Sequence, residues 1–151
     1  MFRDPPRIFG HIPGYKSGYH FKDRQALMDS GVHVPPQSGI YGDSSPGGGA
    51  FSVCLASGKY EDDVDYGNKI TYKQIAHQSF DKHENKALYI SYKTKKPVRV
   101  TRSENKYNQW APSSGYEYDG LYVVDSATMK RGKAGFRMCF FELRRLENND
   151  A

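Results

Sequence analysis

Apolar and polar positions alternate or cluster in short runs along most of this chain. Phe51 to Ala56 is a mostly apolar, strand-like run of the kind that forms a buried strand. Lys69 to Tyr72 is short, β-branched and aromatic, and reads as another strand. Pro97 to Arg102 alternates valines with basic residues, which predicts a strand with one face in solvent. Ser38 to Gly42, Tyr118 to Asp125 and Phe136 to Leu146 complete the strand set. Arg7 to Gly14, broken by Gly and Pro, predicts a short strand and turns. Helical signals are fewer. Phe21 to Ser30 has Asp23 as a candidate cap and Gly31 as a stop. Gln78 to Leu88 is sparsely apolar but compatible with a helix, which could run on through Ala87 to Tyr92. Asp43 to Gly49, Ser103 to Gly115 and the basic stretch Thr128 to Gly135 read as turns or loops.

Many short strands and two short helices predict an α+β, β-dominated domain built on a curved, barrel-like sheet with the helices flanking it. At 151 residues, with no repeat and no dividing linker, the whole chain reads as one domain with loose ends at about 1–6 and 147–151. Fifteen glycines and eight prolines speak against a helical bundle.

Composition narrows the function. Apolar residues make up 37% and charged residues 26%, which is a globular balance. The formal net charge of +5 suits a polyanionic partner without requiring one. Two cysteines, Cys54 and Cys139, sit inside apolar runs and read as buried thiols rather than a disulfide framework or a zinc site. No metal or cofactor is expected. With no run of membrane-spanning length and no signal-peptide pattern, an intracellular setting and no membrane partner are the expectation.

The most distinctive stretch is Ser57 to Lys73. Glu61, Asp62, Asp63 and Asp65 place four acids within five residues of a basic chain, between Tyr60 and Tyr72. A solvated acidic turn is one reading. A calcium loop is another, but the twelfth position from Asp63 is Gln74 rather than the glutamate such a loop needs. The third is chemical. Two rings with a carboxylate between them suit a planar group bearing an amino donor, such as a flipped cytosine.

Seven stretches together resemble one family, the SRA (SET and RING associated) or YDG domain, which reads modified cytosine. They are Phe9 to Gly14, Gly31 to His33, Ser38 to Ile40, Tyr60 to Asn68, Lys96 to Val100, Tyr116 to Tyr122 (with Tyr118-Asp119-Gly120 inside it) and Gly132 to Phe136. They occur in the family's order and cover nearly the whole chain. The resemblance implies a non-enzymatic, base-flipping reader of 5-methylcytosine or 5-hydroxymethylcytosine in duplex DNA. The alternatives it leaves are the recognition part of a modification-dependent nuclease, or an interaction module with lost DNA specificity. A chromatin or nuclease partner, and a nuclear location in a eukaryote, go with it.

Carried onto this sequence, the resemblance makes Tyr60 and Tyr72 the stacking rings and Asp63 the acceptor for the cytosine amine. Backbone amides near Ala56, Ser57 and Gly58, and near Lys73, would serve the base's O2 and N3. Gln37 stands where the family has its groove wedge. Lys59, Lys95, Lys96, Arg99, Arg102, Lys106, Lys130, Arg131 and Lys133 are candidate phosphate contacts. No residue is expected to be catalytic. His11 and His33 read as structural hydrogen-bonding groups, and Tyr118-Asp119-Gly120 as a strand-opening turn with a buried tyrosine. Two departures stand out. Lys59 is an extra residue before Tyr60. The long basic loop of hemimethyl-CpG readers is missing, since Tyr72-Lys73 passes directly to Gln74. The resemblance therefore carries no discrimination between hemi- and fully modified sites.

Overall fold

A computed structural model describes residues 7–56, 64–74, 83–131, 135 and 137–146. The sequence-expected pocket residues Ser57, Gly58, Tyr60 and Asp63, and the basic residues Lys59 and Lys133, lie outside these described residues. So do the first residues of the second expected helix, and both ends.

The order is β1 (His20–Phe21), α1 (Arg24–Ser30), β2 (Ile40–Asp43), β3 (Gly49–Leu55), β4 (Val64–Asp65), β5 (Lys69–Gln74), α2 (His83–Thr94), β6 (Val98–Ser103), β7 (Tyr116–Arg131) and β8 (Arg137–Arg145). One curved sheet runs β2-β3-β6-β7-β8-β5-β4, and β1 pairs with β7 off that path. Among the described residues, only β3 and β6 pair in parallel, and every other pair is antiparallel. The expected β-dominated fold with flanking helices is therefore present, with its sheet curved but not closed.

Local chemistry sets the helix ends. The Asp23 carboxylate accepts from the Ala26 amide at 2.8 Å, so α1 starts at Arg24. Phe21, expected in the helix, instead pairs with Tyr116 in β1. Gly31 closes α1 at φ 84°, where a side chain would be strained. The second helix extends past Leu88 to Thr94, because Ala87, Leu88 and Ser91 form one buried stripe. The Ser91 hydroxyl accepts from the Ala50 amide at 2.8 Å and fastens α2 to β3. A Cβ on Gly42 would lie 2.7 Å from the Ala87 methyl, so the approach of α2 to β2 depends on that glycine.

Two cores lie on opposite faces of the sheet. The larger gathers Ile40, Val53, Ile70, Leu88, Val98, Val100, Tyr122, Phe141 and Leu143. The smaller holds Ile12, Phe21, Leu27, Val32, Cys54 and Tyr118. Adjacent Val53 and Cys54 face opposite cores, as strand alternation requires. Tyr118 and Tyr122 also face opposite cores, although four residues apart. Between them the pairing slips, with Val100 opposite Gly120 and Thr101 opposite Tyr118. Asp119 is the extra residue of a bulge, and the bulge inverts which face later residues present.

Four sequence expectations change here. β6 is not half-exposed: Val98 to Arg102 are all buried, because its neighbours β3 and β7 carry core on both faces. Tyr118-Asp119-Gly120 lies within β7, not in a turn that opens it. Thr128 to Arg131 continue β7 as paired strand, with Thr128 opposite Phe140 and Arg131 opposite Arg137. Arg7 to Gly14 forms turns but no strand. Its carbonyls at Ile8 and Gly10 accept from the Arg99 guanidinium instead of a neighbouring strand.

Candidate functional site

Tyr72 is on β5 opposite Phe141, with Ile70 on the same face. The residue is 9% exposed and is one of the buried members of the larger core. The hydroxyl reaches across to the segment before β2, where a Cβ on Gly39 would stand 2.6 Å from it. Lys73 follows opposite Phe140, and Ala56 is exposed just beyond β3. Gln37 is exposed on the bend between Pro36 and Ser38.

The last acid of the Glu61–Asp65 cluster has a structural partner. Arg102 is 3% exposed and donates from Nε to Asp65 Oδ2 at 2.7 Å and from Nη2 to Asp65 Oδ1 at 2.9 Å. Its Nη1 donates to Asp119 Oδ1 at 2.7 Å, and Nη2 also reaches the Gly67 carbonyl at 2.9 Å. The Tyr122 hydroxyl lies 2.6 Å from both Asp119 Oδ2 and Gly67 O, and its single proton serves one at a time. Asn108 donates to Asp65 Oδ2 at 2.8 Å, and Arg145 donates to Asp119. Two arginines thus face two aspartates, and a bidentate pair holds β4, which carries the last of the clustered acids, on the sheet.

The electrostatics follow from this geometry. Burial pushes the Asp65 carboxyl up, but its bonds to Arg102, the Arg102 charge, and the Asn108 and Gly67 donors leave it below its ordinary range. Burial disfavours the Arg102 cation, yet Asp65 and Asp119 raise its pKa further. Burial also raises the Tyr122 phenol, keeping it a donor.

The bulge at Asp119 supplies one of these partners, which is the positional effect bulges have beside functional sites. The loop between β6 and β7 covers the network. The half-exposed Trp110 lies on Gly67, where a Cβ would come within 2.9 Å of the indole. Nothing in the sequence spacing points to this cluster, since Asp65 and Arg102 stand far apart along the chain.

The structure separates the candidate phosphate contacts. Arg99 is fully buried and donates to the Val32, Ile8 and Gly10 carbonyls; burial lowers its pKa to about 10. Arg99 and Arg102 are therefore scaffold groups, out of reach of a phosphate. Lys95 donates to Val124 O at 2.7 Å and Lys96 to Gly47 O at 2.6 Å, each with an ammonium over an aromatic ring. Lys106, Lys130 and Arg131 are exposed. Strand register runs Lys73 to Phe140 to Thr128, so Lys130 and Arg131 lie two and three residues beyond the level of Lys73. That offset is about 7–10 Å.

His33 is fully buried. Its Nε2 donates to Ser38 O at 2.8 Å, so Nδ1 accepts from the Ser52 hydroxyl at 2.7 Å. Desolvation lowers its pKa to about 3, and the ring is neutral at physiological pH. His11 and Tyr118 share a hydrogen bond of 2.7 Å. Both histidines have the structural partners expected of them. Among the described residues, no three His, Cys, Asp or Glu side chains converge as a metal site, and no helix is long and apolar enough to cross a membrane.

The model of the SAD/SRA domain matches residues 8–149. The chain is 37% identical to a UHRF1-like protein of Cryptococcus neoformans, covering 95% of this chain and 47% of that protein. It thus spans about half the length of that relative. Among solved structures it resembles the modification-dependent TagI restriction endonuclease, with a TM-score of 0.87 and 35% identity over 96% of this chain and 54% of that one. It also resembles the SRA domain of SUVH5 in complex with hemimethylated CG DNA, with a TM-score of 0.79, 31% identity, and coverage of 94% and 96%.

Proposed function

Because the chain belongs to the SAD/SRA domain family, we propose that it is a reader that flips 5-methylcytosine or 5-hydroxymethylcytosine out of duplex DNA and holds it in a pocket. Tyr60 and Tyr72 stack on the base, and Asp63 accepts from its exocyclic amine. Amides around Ala56, Ser57 and Gly58, and at Lys73, meet its other edge, while Gln37 enters the duplex in its place. The observation that carries this reading is the position of Tyr72. It is a buried residue of the larger core, its hydroxyl lies against Gly39, and its strand β5 pairs with β4, which begins at Val64, directly after Asp63 in the sequence. A ring already fixed by packing loses little freedom when a base stacks on it. At 9% exposure, docking a base requires displacing what covers its outer face.

The energetics set the specificity. An amine facing a buried carboxylate favours cytosine over thymine, since an unpaired buried group costs about 1–3 kcal/mol. One buried methyl carbon adds only about 0.8 kcal/mol, so methyl selectivity from that term is roughly three- to fivefold. Lys95, Lys96, Lys106, Lys130 and Arg131, with Lys59 and Lys133, supply the phosphate contacts. The role is binding, without catalysis in these residues, and a chromatin context and nuclear site would follow in a eukaryote.

The test is a titration at fixed salt against one duplex carrying cytosine, 5-methylcytosine or 5-hydroxymethylcytosine on one or both strands. Asp63→Ala is expected to abolish the preference for modified cytosine and leave weak, salt-sensitive binding. Equal affinity of the parent for all duplexes overturns the reading. The likeness to the TagI endonuclease favours a second reading, in which this domain guides a nuclease. Modification-dependent cleavage by the full-length gene product decides for that one.

A further inference from the structure

The bend bearing Gln37 is gripped on both sides by one side chain. Arg24, on α1, donates from Nε and Nη2 to the Pro35 carbonyl at 3.1 and 2.9 Å. Its Nη2 also donates to the Ser38 carbonyl at 3.1 Å, and its Nη1 reaches Cys54 Sγ at 3.6 Å. The guanidinium sits over the Tyr116 ring, 5.5 Å from its centre. Pro35 and Ser38 flank Pro36 and Gln37.

A second layer supports the first. The Ser38 carbonyl also accepts from His33 Nε2. The Ser38 hydroxyl donates to Ile40 O at 2.9 Å and accepts from the Ile40 amide at 3.2 Å. Arg99 Nε holds the Val32 carbonyl at 2.9 Å. Gly39, which follows Ser38, is the residue against which the Tyr72 hydroxyl rests.

We infer that Arg24 is a positioning residue for base extrusion: it fixes the Pro35–Ser38 bend so that Gln37 is presented to the duplex while Gly39 stays against Tyr72. The inference rests on the base-flipping reading above. A loop already rigid needs no ordering when it enters the duplex, and that saving appears as affinity. A planar fork can hold two carbonyls at once, whereas a lysine ammonium at the same place is a point charge on a flexible stem. The Arg24 nitrogens are directed at protein carbonyls and a thiol, so its effect on DNA is exerted through the loop.

The test uses two duplexes of one sequence, with 5-methylcytosine opposite guanine or opposite an abasic site. The second has no paired guanine to orphan, so it needs the wedge less. Arg24→Met and Arg24→Lys are expected to bind the guanine-paired duplex roughly tenfold or more weakly, in keeping with lost charged hydrogen bonds. Their affinity for the abasic duplex is expected to change by less than about threefold. Equal losses on both duplexes, or no loss on the paired one, overturn the inference. If the variants do not fold, backbone order parameters of the free parent decide. Values near about 0.85 at Gln37 to Gly39 support a preset bend, and values below about 0.6 overturn it. A parent that does not prefer the modified duplex removes the base-flipping reading, and this inference with it. A preferring parent with unaltered Arg24 variants removes this inference alone.

Discussion

The Tyr72 hydroxyl occupies the space beside Gly39 that a side chain would need, since a Cβ there would lie only 2.6 Å from it. β2 is one end of the open sheet order and β5 is next to the other end, so this contact joins regions far apart in that order. Gly39 is outside the left-handed region, so alanine there meets a packing problem and no backbone strain. Gly39→Ala is expected to destabilise the fold by about 1–3 kcal/mol, the usual cost of overpacking. In a Tyr72→Phe background the nearest ring atom is Cζ at 3.8 Å, an ordinary contact, although Cys54 O remains at 3.2 Å. Urea unfolding of the four proteins should therefore show the two substitutions partly rescuing each other. Strict additivity would mean the hydroxyl is not what excludes the side chain.

Removing Arg102 leaves Asp65 and Asp119 with an uncompensated charge in a site only 3% exposed at the guanidinium. Arg102→Met is expected to cost about 3–5 kcal/mol. Arg102→Lys restores only part of it, because an ammonium cannot fork to both carboxylates. Chemical denaturation measures both. A loss below about 1 kcal/mol for the Met variant would place the network with solvated surface pairs.

His33 gives the fold a signed dependence on acid. Its pKa falls from 6.5 to about 3 on burial, so between those values the unfolded chain binds the proton and the folded one does not. Stability from this group is complete above about pH 6.5 and is lost as pH falls towards 3, at up to about 1.4 kcal/mol per pH unit. Asp65, whose pKa is depressed, adds its own loss as pH drops below the ordinary carboxylate range. His33→Gln should be less stable than the parent at pH 7 yet show a shallower decline down to pH 4. Parallel declines of the two midpoints would remove His33 as the cause.

Lys130 and Arg131 should act on DNA through charge alone. Replacing both with glutamine is expected to reduce the slope of log affinity against log salt by roughly 1–2. Preference for modified over unmodified cytosine should hold. A changed preference with an unchanged slope would assign them to base reading instead.

What the chain announced by itself was what neighbouring residues settle among themselves. Asp23 and Gly31 bound a helix because a carboxylate reaches an amide three residues on and only glycine is relaxed at φ 84°. Phe51 to Leu55 is a strand because a predominantly apolar run of this length is buried on both faces, with Ser52 satisfied by His33. The order of seven short stretches was enough to indicate the family. Alternation in Val98 to Arg102 suggested a wet face, and there the local pattern misled. Only the folded chain sets β6 between two strands with core on either side, so both arginines are buried. Only the bulge at Asp119 turns a carboxylate towards Arg102, and only the packing of α1 brings Arg24 to the Pro35 and Ser38 carbonyls. A buried cation takes its partners wherever the fold delivers them, and no spacing along the chain encodes that.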